Sequence, residues 1–361
     1  MRENDSHGLS RRSFLTGVSS AALGAAAVGM SNSSSGASQS EKPARQPKDK
    51  IRLGSVAWNF GRIGDDPPWT ASIDAIGELG FDGIELIVAK PNQLDATISE
   101  PTLSEILRRL ERHKLKVSQF VLYQTVTADL GSPDREKQKR ALALFEKGCR
   151  VAVKLGAPII NMVAPWPTSF QKEGQGYLPR YYSTGTTMPS PKFSFTVPRN
   201  FDWPKAWSDF VAVMKETTAI AKNAGLLFAL ENHTHTFVPG PDAFLRLWDE
   251  VHDPALGFSL DIGWVALQRE YPVVAVYKTR GHLMNLHIRD LDGFAYRFVA
   301  PGSGCMDYEG LIVALRAIGF SGFITFEQDG VPDMKHAMRR GMEIFQFGDS
   351  HQNSQRKEEI R

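Results

Sequence analysis

The chain has 361 residues and only two cysteines, Cys149 and Cys305. No C-x-x-C pair occurs, so no spacing suggests a cysteine-ligated metal centre or a redox dithiol, and two cysteines leave room for one disulfide at most. An excess of one charge sign is also missing: 42 Lys and Arg stand against 40 Asp and Glu, for a net charge of +2. That small excess lies at the front, where residues 1–50 carry seven basic and four acidic side chains. The near-neutral remainder lacks the electrostatic footprint of a nucleic-acid binder. No G-x-G-x-x-G turn and no Gly-rich loop with Lys is present, which argues against dinucleotide and P-loop phosphate binding. No internal repeat is seen beyond an alternation of short and long apolar segments. What is present, 42% hydrophobic and 10% aromatic residues, is ordinary globular composition. It excludes disorder over most of the chain and allows two modest domains or one large α/β barrel.

The N-terminus reads as an address. Ser10-Arg11-Arg12-Ser13-Phe14-Leu15 precedes a run of small apolar residues, Gly17 to Met30. A basic start, a short apolar stretch and a small-residue cleavage zone are the three parts of an export signal in order. The paired arginines make it the twin-arginine form, with Thr16 where Lys is common. The apolar run is too short and too rich in Ala and Gly for a membrane span. Residues 1–37 are therefore expected to be a twin-arginine signal peptide region, cut after Ala27 or Ala37, and 38–50 a disordered linker. The expected partner is the twin-arginine export machinery, and the expected location is periplasmic or otherwise exported, with no membrane anchor after processing.

From Ile51 on, strand-like and helix-like segments alternate. Strands are expected at 51–57, 83–87, 116–122, 157–163, 226–231, 256–261, 283–288 and 322–327. Helices are expected at 71–79, 103–113, 134–155, 206–224, 242–251, 265–279, 308–318 and 332–347. Near-continuous apolar strands between helices indicate a parallel sheet covered on its faces. Eight such units over 51–346 predict an α/β fold, a (β/α)8 TIM barrel, rather than an open doubly wound sheet. An insertion at about 164–205 interrupts the pattern, and 347–361 is a polar tail. The insertion carries Trp166, Phe170, Tyr177, Tyr181, Tyr182, Phe193, Phe195, Phe201 and Trp203. These rings either shape the active-site face or form a satellite core under a long loop.

Chemistry in such a barrel sits at the C-terminal ends of the strands. Four consecutive strands finish with Glu231, Asp261, His287 and Glu327. Taken singly, each has a plain structural role available: a helix cap for Asp261, a core hydrogen bond for His287, arginine pairing for the glutamates. Together, three buried carboxylates on one mouth would repel one another unless a cation joined them. Three hard oxygens and one imidazole suit one divalent metal ion, Mn²⁺, Mg²⁺ or Co²⁺, with Zn²⁺ also accommodated.

These segments resemble the xylose isomerase-like TIM-barrel family, also called the sugar phosphate isomerase/epimerase family. The likeness is carried by Phe81-Asp82-Gly83-Ile84-Glu85-Leu86, Leu230-Glu231-Asn232-His233, Leu260-Asp261-Ile262-Gly263, His287-Ile288-Arg289-Asp290, Pro301-Gly302-Ser303-Gly304 and Phe326-Glu327. It covers most of 51–346. The resemblance implies that Glu231, Asp261, His287 and Glu327 bind one divalent ion and that Glu231 and Glu327 move protons. It further implies a small-molecule carbohydrate substrate and an isomerase or epimerase that moves a proton next to a carbonyl. A lyase or dehydratase on a keto-sugar or polyol, and a non-catalytic metal-containing sugar-binding barrel, are the alternatives. Glu85, His233, Trp264 and Arg289 are the expected substrate-binding residues, with an ion pair in the barrel wall as the other role open to Arg289. The family's trinuclear DNA-repair pattern is absent: Trp264 stands where that pattern has His, and Gly293-Phe294-Ala295-Tyr296-Arg297-Phe298 replaces its Asp-x-His.

Overall fold

Short β-branched and aromatic runs build the centre of the molecule. Strands β1 (Arg52–Val56), β2 (Gly83–Val88), β3 (Lys116–Leu122), β4 (Ile159–Val163), β5 (Leu227–Glu231), β6 (Leu256–Asp261) and β7 (Leu283–Ile288) are followed by a two-stranded antiparallel ribbon, β8 (Asp290–Leu291) and β9 (Phe298–Val299), and then by β10 (Phe323–Phe326). The eight long strands pair in parallel and close in the order β1-β10-β7-β6-β5-β4-β3-β2. This is the expected (β/α)8 TIM barrel. The computed structural model describes residues 51–165, 197–234, 236–293, 297–328 and 331–359, and side chains only as far as 346. The signal region 1–37, the linker 38–50, His235 and most of the insertion, including Trp166 through Phe195, lie outside the described residues.

The hydrophobic core lies between barrel and helices. Phe145 on the helix Arg135–Lys154 meets Phe228 of β5 edge to face, with ring centroids 5.3 Å apart. Phe244 on the helix Pro241–Val251 stacks on Phe258 of β6 at 4.3 Å, and Phe326 of β10 meets Phe345 at 5.8 Å. All six rings are at most 1% exposed. The helices start and stop where local chemistry dictates. Asp134 accepts from the backbone N–H groups of Glu136 and Lys137, satisfying orphan donors of the first turn. Gly80 closes the helix Thr70–Leu79 in the left-handed region, at φ 84°, where glycine carries no Cβ penalty.

Several elements differ from the sequence expectation, the β8–β9 ribbon among them. A helix at Pro91–Ile98 was not foreseen because it turns Gln93 and Thr97 inward beside Leu94, which erases the apolar period. The expected helix 265–279 is two helices, Ile262–Leu267 and Pro272–Lys278, the first beginning straight off β6. The last helix runs Met334–Glu359, so the backbone of the polar tail continues it. Phe201 and Trp203, the insertion aromatics within reach, join Trp207, Phe210 and Phe237 in one aromatic cluster. Phe201, Phe210 and Phe237 also line a cavity of about 330 Å³. Both cysteines are free, Cys149 buried and Cys305 exposed. No helix among the described residues is long and apolar enough to cross a membrane.

If the stabilising core is this shell of ring contacts, Phe228→Ala should cost about 3–5 kcal/mol of unfolding free energy. Asp134→Ala, which removes only a cap, should cost about 1 kcal/mol. Urea unfolding followed by circular dichroism measures both, and equal losses would contradict this placing of the core.

Candidate metal centre

Glu231 ends β5, Asp261 ends β6, His287 is the penultimate residue of β7, and Glu327 directly follows β10. All four are buried, and each offers one ligand atom, the four atoms lying within 4.8 Å of one another. His287 Nδ1 lies 2.9 Å from Glu327 Oε2 and 3.5 Å from Glu231 Oε1. The strand-end residues picked out by sequence are therefore brought together at one mouth.

Each of the four side chains is held by its own local device. The Asn232 side chain donates to the Asp261 carbonyl at 3.0 Å and accepts from the Asp261 N–H at 2.8 Å. This tie fixes the ends of β5 and β6, and so Glu231 and Asp261, against each other. Asp261 Oδ1 accepts from the Gly263 and Trp264 N–H groups at 2.7 and 3.2 Å, capping the helix Ile262–Leu267. Asp261 Oδ2 accepts from Arg289 Nε at 2.7 Å. The same guanidinium donates to Glu327 Oε1, which also accepts from Trp58 Nε1 at 3.0 Å. His287 Nε2 faces Glu85 Oε2 at 2.9 Å.

Two buried atoms of the cluster lack an aligned hydrogen bond, as do buried atoms elsewhere such as both ends of the Asn161 amide. The two are His287 Nδ1 and Glu327 Oε2, which lie 2.9 Å apart. Buried polar atoms are almost always satisfied, and a cation between these two would serve both. Three carboxylate oxygens and one imidazole nitrogen form a fitting donor set for a hard divalent ion.

The electrostatics agree with this. Burial pushes the Glu231 carboxyl up to about 7, with Glu327 and Asp261 adding repulsion against the pull of His287. Burial likewise raises Asp261, in opposition to Arg289. Burial alone would raise Glu327, but Arg289, His287 and the Trp58 N–H outweigh it and hold that carboxyl well below its ordinary range. Burial would lower His287, yet the carboxylates of Glu85 and Glu231 carry it well above its ordinary value.

The four expected substrate contacts fare differently. Glu85 is fully buried, and its two oxygens take the N–H groups of His287, Gln119 and Asn285. It lies behind His287 and is not open to a substrate. Trp264 is 2% exposed, covered by the His233 ring at 4.2 Å, the Phe298 ring at 5.5 Å and the Arg289 guanidinium at 4.7 Å. It forms an apolar wall, and no open face is left for a sugar to stack on. Arg289, also 2% exposed, takes the ion-pair role, because two acidic side chains meet its guanidinium. His233 stays partly open at the mouth, with Nδ1 donating to the Thr234 carbonyl at 2.9 Å.

Sequence reasoning missed Trp58, Asn232, Gln119 and Asn285. Two of these had a usable signal: Asn232 follows Glu231, and Asn285 lies two positions before His287 on the same face of β7.

Glu231 and His287 both hold their protons to higher pH in the folded chain than unfolded. The stability Glu231 contributes in the metal-free protein is full below about 4.5 and is lost as pH rises through about 7. That of His287 is lost higher still, through its raised folded value. A bound cation needs both groups deprotonated. The rise in melting temperature on adding Mn²⁺ should therefore grow as pH increases across this window, and a rise independent of pH would contradict the assignment.

The sequence profile of the family described as Xylose isomerase-like TIM barrel matches residues 73–346. A 3-oxo-isoapionate decarboxylase of Pectobacterium atrosepticum is 34% identical over 80 residues, 20% of this chain and 29% of that protein. An uncharacterized protein of Methanocaldococcus jannaschii is 25% identical over 158 residues, 39% of this chain and 54% of that protein. The chain thus spans less than a third to about half the length of these curated relatives. Among solved structures, D-psicose 3-epimerase from Clostridium cellulolyticum H10 superposes with TM-score 0.63 at 16% identity, over 82% of this chain and 99% of that one. The 3-keto-D-glucoside 4-epimerase of E. coli gives TM-score 0.62 at 18% identity, over 82% and 100%. The profile match extends over most of the chain, and the protein belongs to the Xylose isomerase-like TIM barrel family.

Proposed function

We propose that the protein is a metal-dependent isomerase or epimerase that moves a proton next to a carbonyl on a sugar, keto-sugar or glycoside. The observation that carries this is the convergence of Glu231, Asp261, His287 and Glu327 within 4.8 Å, with both glutamates beside His287 Nδ1. The four would hold one divalent ion, manganese, magnesium or cobalt, with zinc as the alternative. Such an ion supplies polarisation of a carbonyl and its neighbouring hydroxyl, which acidifies the carbon-bound proton between them.

The chain's own residues supply the proton chemistry. Glu231 offers a buried carboxylate at the mouth that can take a proton from carbon and give one back. Glu327 offers Oε2 from the other flank, its Oε1 being fixed by Trp58 and Arg289. Two carboxylates on opposite flanks let one remove a proton while the other returns it, inverting a carbon or shifting a carbonyl. Buried walls of Trp264 and Phe298 exclude water on the Arg289 side. The names of the two epimerases of like fold support this reading. A lyase is the second reading, favoured by the decarboxylase relative, since both chemistries pass through a carbanion beside a carbonyl.

We also propose that Arg11 and Arg12 direct export by the twin-arginine route. Replacing both with Lys should leave the precursor in the cytoplasm on cell fractionation, and unchanged export would reject this route.

With Mn²⁺-loaded protein in heavy water, candidate keto-sugars should exchange a carbon-bound proton for deuterium. Glu231→Gln and Glu327→Gln should each slow that exchange by about 100-fold or more. Loss of carbon dioxide or water from a substrate would point to the lyase, and no exchange across a broad sugar panel to a binding protein without catalysis.

A further inference from the structure

We propose that Glu85 is the positioning residue of the centre: by accepting the N–H of His287 Nε2 across the barrel lumen, it presents the Nδ1 lone pair to the ion and sets how tightly the ion is held. This rests on the metal reading of the four strand-end residues.

Glu85 belongs to β2 and His287 to β7, which are not neighbours in the barrel: β1 and β10 lie between them. Their 2.9 Å contact therefore spans the interior. Bulky aliphatic side chains usually fill that space, and a carboxylate there is costly unless its oxygens are used. Here they are. Oε1 accepts from Asn285 Nδ2 at 2.9 Å, and Oε2 accepts from Gln119 Nε2 at 2.9 Å as well as facing the imidazole. Asn285 is steadied in turn by Thr325, whose hydroxyl donates to its Oδ1 at 3.3 Å. No solvent reaches Glu85, Gln119 or Asn285, each at most 1% exposed, so the group cannot be a substrate contact.

The chemistry of the ring assigns the role. An imidazole has two nitrogens, and a carboxylate at one demands a proton there. Carboxylates face both nitrogens, Glu85 at Nε2 and Glu231 and Glu327 at Nδ1. When an ion takes the proton's place among Glu231 and Glu327, Glu85 keeps the remaining proton on Nε2 and leaves the Nδ1 lone pair for the ion. A carboxylate behind a ligating histidine fixes the ring's orientation and tautomer and raises its basicity as a ligand. Glutamine at 85 would keep the size but introduce an amide N–H among groups that all donate. Its amide nitrogen must take either the place of Oε1, breaking the contact from Asn285, or that of Oε2, breaking the contact from Gln119 and donating to Nε2, which drives the ring proton to Nδ1, into the ion's place.

The test is Mn²⁺ binding by isothermal titration calorimetry on wild type and E85Q, with melting temperatures of both metal-free proteins. The expected result is an E85Q affinity about 10- to 100-fold weaker than wild type. An E85Q that melts lower yet binds Mn²⁺ as tightly as wild type would show that Glu85 only braces the barrel, and would overturn the proposal alone. Absence of binding in wild type would overturn the metal reading and the proposal with it. If E85Q does not fold, the imidazole ¹⁵N resonances of zinc-loaded wild type decide: a proton on His287 Nε2 supports the assignment, and one on Nδ1 overturns it.

Discussion

Like-charge repulsion in the barrel mouth is the constraint to which the rest of the structure answers. Three carboxylates share a buried volume less than 4.8 Å across with one imidazole. At an effective dielectric of ~20, two like charges ~4 Å apart repel by about 4 kcal/mol. Three such pairs would consume much of the stability of an ordinary domain. The chain supplies partial relief from within. Arg289 bridges Asp261 and Glu327, His287 lies against Glu231 and Glu327, and Glu231 holds its proton to about 7. A divalent cation held by the four side chains would complete the neutralisation and would link site chemistry to folding stability.

Arg289 occupies its place because the backbone around it gives way. A Cβ on Gly263 would lie 2.8 Å from both Cβ and Cδ of Arg289 and 3.0 Å from the Phe298 ring. Glycine therefore lets the turn after β6 pass against the guanidinium stem. The next residue, Asp290, points the other way and ties down the following loop. Its carboxylate accepts the N–H groups of Leu291, Gly302, Gly304 and Met306. One dipeptide thus orders both the acidic cluster and the loop beside it. Asp261 is equally economical: one oxygen caps a helix and the other meets Arg289. Its plain structural role as a cap and its place in the ligand cluster are the same geometry, because a helix that starts straight off a strand puts its capping side chain at the barrel mouth.

Much of this was legible in the sequence, and the failures have physical causes. The eight strands are apolar on the helix-facing side, so their positions show as short hydrophobic runs, and the acidic or imidazole residue ending four of them breaks each run where it matters. The helix Pro91–Ile98 and the ribbon β8–β9 left no such trace: one turns Gln93 and Thr97 inward, and the other has only two residues per strand. Sequence placed Trp264 and Arg289 on the right end of the barrel, but set Glu85 near the end of a strand that runs on to Val88, with Glu85 only its third residue. It could not tell which side chains stay open and which lie behind others, because depth depends on distant partners. Glu85 meets Asn285 200 positions away, and Trp58 meets Glu327 across 269.

The division of labour in the barrel follows from where the polar residues sit. Gln119 of β3 lies within 3.4 Å of Ser259 of β6, and Glu85 of β2 bonds Asn285 of β7. These pairs join strands that are not neighbours, so the lumen beneath the ligands is crossed by hydrogen bonds. Apolar burial is displaced to the outer shell, where Phe120 and Phe258 adjoin the inward Gln119 and Ser259 along their strands. Packing outside can then hold the barrel rigid while the interior is shaped by direction-dependent bonds. Hydrogen bonds fix the angle of a side chain more narrowly than dispersion contacts do, and a ligating imidazole depends on angle. A lumen filled with aliphatic side chains would leave the ring of His287 free to turn about its own axis. The polar lumen gives up some hydrophobic stabilisation and in exchange specifies a single orientation for that ring.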